Sequence, residues 1–101
     1  MDRDALHAGL SRFADRADGA VVVRTGGAGL TLVRGDEELT VPARGDGPAE
    51  VALDPAFAAD AVAAVTGPDV VVEIAGPVHP VVFRSADDGT FTTLLMPVRV
   101  A

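Results

Sequence analysis

With 101 residues and 49% of them apolar, the chain is long enough for one domain with a core of its own. It has no cysteine, which excludes disulfides, thiolate metal ligands and cysteine nucleophiles, and fits a reducing, cytoplasmic setting. Eight basic residues, all arginine, face fifteen acids for a net charge of −7, which opposes binding to phosphate backbones as a whole. The four aromatic residues are all Phe, so there is no stacking platform for single strands, and no apolar run is long enough for a membrane span or a secretory signal.

Leu6, Leu10, Phe13 and Ala17 recur at spacings of four, three and four, which predicts a helix over Asp2–Ala17. Asp2 and Asp4 suit its start and Gly19 its close. The period then changes. Ala20–Thr25, Gly29–Arg34 and Glu38–Arg44 are strand-like, and Gly26-Gly27 and Gly35-Asp36 supply the two turns of a meander. Gly45-Asp46-Gly47-Pro48 is a loop, and Ala49–Leu53 is a short strand.

Asp54-Pro55 opens a second helix, with an acceptor at the cap and proline where no amide hydrogen is needed. Its body runs from Ala56 to Val65, and Thr66-Gly67-Pro68 ends it. Three more strands follow over Asp69–Ala75, His79–Ser85 and Thr90–Val100, joined by Gly76-Pro77 and Asp87-Asp88-Gly89.

The chain thus repeats itself. A helix followed by a three-strand meander occurs within 2–44 and again within 49–100, and the meanders end alike, LTVPAR against LLMPVR. A proline two places before the arginine suits an edge strand, because proline cannot donate to a neighbour. Two such halves predict one α+β domain over 1–101, with a pseudo-twofold axis and both helices on one side of the sheet. The halves differ in one respect: Ala49–Leu53 precedes the second helix, whereas no strand precedes the first.

This plan resembles a domain of the bacterial DNA sliding clamp, the beta subunit of the replicative polymerase, and most closely its third, C-terminal domain. The resemblance is carried by VALDPAFAADAVAAV, GPDVVVEIAGPVHPVVFRSADDG and FTTLLMPVRV between Val51 and Val100, and more loosely by DRDALHAGLSRFADRA at the start. It implies the DNA-clamp fold. It also implies half of a hydrophobic groove for the short linear peptides of replication and repair proteins, at Val78, Pro80, Leu94, Met96, Pro97, Val98 and Arg99. On spacing alone, Val78, Leu94, Met96 and Val98 read as ordinary core positions, so the two readings make opposite expectations about exposure. In clamps the helices face DNA; the matching bases here are Arg3, Arg12 and Arg16, interspersed with Asp2, Asp4 and Asp15, so DNA contact is expected to be weak or absent.

A clamp chain carries three such domains, whereas this one carries a single domain, and self-association is expected as a dimer rather than a ring. The alternative is a regulatory or dimerisation domain with a clamp-like fold and no clamp activity, as found joined to MerR-type transcriptional regulators, acting on a partner regulator. No catalytic constellation emerges. His7 and His79 lack a nucleophile turn, and Asp36-Glu37-Glu38 and Asp87-Asp88-Gly89 are turn chemistry without the alternating oxygens of a calcium loop. Gly26-Gly27-Ala28-Gly29 precedes a strand without a lysine, so it is no phosphate loop. The expectation is a non-enzyme with neither cofactor nor metal.

Overall fold

The computed structural model describes residues 1–14, 19–26, 29–44, 48–65, 67–76, 78–86 and 92–98. In chain order the elements are α1 (Arg3–Ala14), β1 (Val21–Gly26), β2 (Gly29–Arg34), β3 (Glu37–Pro42), β4 (Ala49–Leu53), α2 (Pro55–Ala64), β5 (Val70–Ile74), β6 (Val81–Ser85) and β7 (Thr92–Leu95). The α+β class and the elements of both halves are as the sequence predicts.

Local chemistry accounts for the boundaries. The Asp54 carboxylate accepts from the amides of Ala56 and Phe57 at 2.9 and 3.2 Å, and Pro55 sits inside the first turn of α2. Asp2 does the same for α1, accepting from the Ala5 amide at 3.1 Å. Gly35, at φ 57°, makes the turn between β2 and β3. Pro42 ends β3, which is an edge strand, where a missing donor costs nothing.

The strands are arranged differently from a single sheet. They form one sheet in the order β3-β2-β1-β4 and another in the order β5-β6-β7. The strand that precedes α2 therefore leaves its own half, and β4 pairs antiparallel with β1 from Val21↔Leu53 to Thr25↔Ala49. Periodicity assigns a strand but not its neighbour, and here the turn into α2 delivers β4 to the first meander. The last strand is also shorter than Thr90–Val100. Its pairing with β6 ends at Leu95, because Pro97 cannot continue a ladder. Beyond it the Val98 amide bonds instead to the Ala52 carbonyl, at 2.9 Å, on the outer side of β4.

The helices pack side by side. One core joins them to both sheets: Leu6, Leu10 and Phe13 from α1, Ala58 and Val62 from α2, Val21, Leu32 and Leu53 from the first sheet, and Val70, Val81 and Phe83 from the second. The alternation along β1 shows the geometry, with Val21 and Val23 buried and Arg24 exposed and paired to Glu50 at 3.0 Å.

Candidate functional site

The groove positions begin in the turn before β6. The His79 amide donates to the Gly76 carbonyl at 3.4 Å, and this turn carries Val78 at 74% exposure. Pro80 follows, also exposed, and leads into Val81, which is buried. On the neighbouring strand Leu95 lies opposite Val81 and Leu94 opposite Val82. Leu95 packs against the core, so the strand's alternation turns Leu94 outward, at 64% exposure. Met96 follows at 60%, and continuing the register by one residue places it abreast of Pro80. Pro97 and Val98 are half-buried, the latter held by the bond to Ala52. Arg99 lies outside the described residues.

The structure therefore brings Pro80, Leu94 and Met96 to one end of the second sheet, with Val78 two residues before Pro80. Plain core packing is not their role: Val78, Leu94 and Met96 are three of the four large apolar side chains that stand exposed among the described residues.

The fourth is Phe57, at 63% exposure, in the first turns of α2. Phe57 is not among the site residues expected from the sequence, although its place on the helix carries a signal. The buried positions of α2 are 55, 58, 59, 61 and 62, and Phe57 falls off that stripe.

Of the three arginines matched to a DNA-facing surface, Arg3 is engaged within the protein. Its Nη1 donates to the Val65 carbonyl at 3.1 Å, at the end of α2, and its Nη2 lies 3.4 Å from Asp4. Arg12 is exposed in the last turn of α1, and Arg16 lies outside the described residues. Neither end of α2 carries a base. Among the described residues no cluster of three or more His, Asp or Glu side chains is placed to hold a metal ion, and no helix is long and apolar enough to cross a membrane.

A separate cleft of about 530 Å³ is lined from both sheets, with Met1, Leu30, Ala43, Arg44, Val72 and Ile74 among its walls and none of the groove positions.

Two sheets around a helix pair, in this strand order, are the fold of a bacterial DNA sliding-clamp domain. Solved clamps match it nearly end to end. The sliding clamp (DNA polymerase III subunit beta) of Bartonella birtlesii, solved bound to griselimycin, superposes with a TM-score of 0.85 at 20% identity, over 98% of this chain and 29% of the clamp. The beta subunit of Thermotoga maritima gives 0.83 at 16% identity, over 100% and 30%. That of Caulobacter crescentus gives 0.80 at 25% identity, over 99% and 29%. The chain thus spans about three-tenths of the length of the clamps it matches. No protein-family model matches it, and no curated protein does.

Proposed function

We propose that the chain is a sliding-clamp-like interaction module of DNA replication or repair, non-catalytic and cytoplasmic. Its partners are replication and repair proteins, which it holds by short linear peptides laid across Val78, Pro80, Leu94 and Met96. Pro97, Val98 and Arg99 complete that surface.

One observation carries this reading. Four of the positions matched to the clamp's peptide groove, Val78, Pro80, Leu94 and Met96, are exposed and apolar, although two of them, Leu94 and Met96, lie on or beside a strand whose other face is in the core. Exposed apolar surface has a standing hydration cost of about 25 cal/mol per Å², which a partner's Leu or Phe side chain removes. Methionine suits the task because its unbranched chain adapts to different anchors.

The test is titration of a fluorescently labelled clamp-binding peptide, taken from a replicative polymerase, against the wild type and Met96→Asp. Saturable binding is expected, weakened at least tenfold by the carboxylate, about 1.4 kcal/mol. The thermal midpoint should stay put, since Met96 is exposed. If the wild type does not saturate, or the substitution leaves affinity unchanged, the reading fails.

A further inference from the structure

The last stretch of the groove leaves the sheet it comes from. β7 keeps to β6 only as far as Leu95, which pairs with Val81 and packs against the core. Continuing that register sets Met96 beside Pro80. Pro80 and Pro97 both lack the amide hydrogen that a further rung would need, so the ladder is closed from both strands at one level. After Pro97, the next residue with a backbone donor is Val98, and its amide goes to the other sheet: it donates to the Ala52 carbonyl at 2.9 Å. Ala52 lies in β4, the outer strand of the first sheet, where it pairs with Val22 between the buried Val51 and Leu53. Among the described residues this is the only backbone hydrogen bond that joins the first sheet to β7 and the residues after it.

The chain from Leu95 to Val98 is therefore a bridge between the two sheets, tied at both ends. It covers three residue steps, at most about 11 Å of extended chain. Its interior is Met96 and Pro97. The proline ring fixes its own φ at about −65°, and its bulk also holds Met96 to extended backbone. Few torsions are then left free. Met96 is 60% exposed, so little side-chain packing places it independently of this backbone.

We infer that the Val98 amide is the positioning group of the groove. It latches Met96 and Pro97 across the junction of the sheets, so the surface offered to a peptide is built by both sheets together. The inference rests on the reading of this surface as a peptide site, and adds how its shape is fixed. The far end of the bridge is anchored two residues before Asp54, the cap of α2, on a strand held by β1. Released from Ala52, the segment after Met96 has no rung to return to, because Pro80 closes the ladder along β6. A peptide that fits only the latched bridge loses apparent affinity by the fraction of chains in which the latch is open.

The test replaces the Pro97–Val98 amide by an ester in the full chain, with oxygen in place of the Val98 N–H and the valine side chain unchanged. In the native protein, exchange of the Val98 amide hydrogen should be roughly tenfold or more slower than in an unstructured peptide. In the ester, the isotope-labelled methyl signal of Met96 should move toward that of a free methionine side chain. The signal of Met1, which lines the separate cleft, should stay in place. Affinity for the labelled polymerase peptide should fall about fivefold, the worth of one backbone hydrogen bond. Exchange of Val98 at the unstructured rate overturns the inference, as does a Met96 signal that the ester leaves unmoved. An ester that lowers the thermal midpoint but leaves Met96 and the peptide affinity as they were assigns the bond to stability alone, and overturns it too. The exchange and methyl readouts need no peptide. If the native chain binds none while the ester still moves Met96, the peptide reading falls and the positioning of Met96 by Val98 stands.

Discussion

Arg34 does more for the first half of the molecule than any pattern around it suggests. From β2 its guanidinium reaches three backbone carbonyls: Phe13 at 3.0 Å, Ala20 at 3.5 Å, and Gly19. Its carbon also lies 5.6 Å from the centre of the Phe13 ring, which is fully buried. The last carbonyls of a helix have no partner within it, and a basic side chain near them also meets the negative end of the dipole. Arg34→Ala should therefore destabilise the protein by about 1–3 kcal/mol, read as a fall in the urea midpoint with unchanged slope. Arg34→Lys should recover less than half of that, because an ammonium cannot serve three carbonyls and stack on a ring at once. Full recovery by lysine would show that charge alone matters. Arg3 plays a comparable part at the end of α2, through Val65. Neither role is legible in the sequence, since the targets lie 14–21 residues away for Arg34 and 62 for Arg3.

Elements were legible where the signal is local. Asp54-Pro55 announces α2 and Gly35-Asp36 the β2–β3 turn, because capping and left-handed turns are short-range chemistry. Two things were not. The sheet to which β4 belongs depends on a partner 24–32 residues away in the chain, and period-2 alternation does not name a partner. The outward face of β7 was also silent, since Leu94 and Leu95 are the same residue. It takes Val81 in the core, opposite Leu95, to show which leucine is free. Close approach between elements is a third signal that a sequence conceals. A methyl group built on Gly29 would stand 2.7 Å from Thr40 Cγ2 and 2.8 Å from the Val41 carbonyl oxygen. The latter belongs to the β3 ladder and cannot swing aside, so Gly29→Ala should cost about 1–3 kcal/mol. On Gly9 of α1 the nearest atom is Leu39 Cδ2 at 2.9 Å, the movable end of a side chain. There the gain of about 1 kcal/mol in helix propensity offsets the crowding, and Gly9→Ala should be near neutral. Parallel urea titrations of the two variants check the contrast, and equal effects would refute it.

At the scale of the whole molecule, fold and charge point in different directions. The fold is that of a clamp domain, whose helices in the resemblance face DNA, yet the net charge is −7 and the helix layer offers little to a phosphate. Arg3 is bonded to Val65 and sits beside Asp4, α2 has no base in either end turn, and Asp2, Asp4 and Asp60 are exposed nearby. Counting Arg12 and Arg16 in full, two phosphates are the most that this surface neutralises. Counterion release then limits the slope of log K against log salt to about −2, and the gain between 200 and 50 mM salt to roughly tenfold. We expect fluorescence anisotropy with a labelled 30-base-pair duplex to show no saturation at about 150 mM salt up to about 100 µM protein, at the weak end of non-specific binding. Charge reversal at Arg12, Arg12→Glu, should change nothing measurable there. A slope steeper than about −3 would require a basic face that these residues do not provide, and would return DNA encirclement to consideration. A flat response is what the charge balance predicts, and it is the outcome compatible with the proposed peptide contacts around Met96.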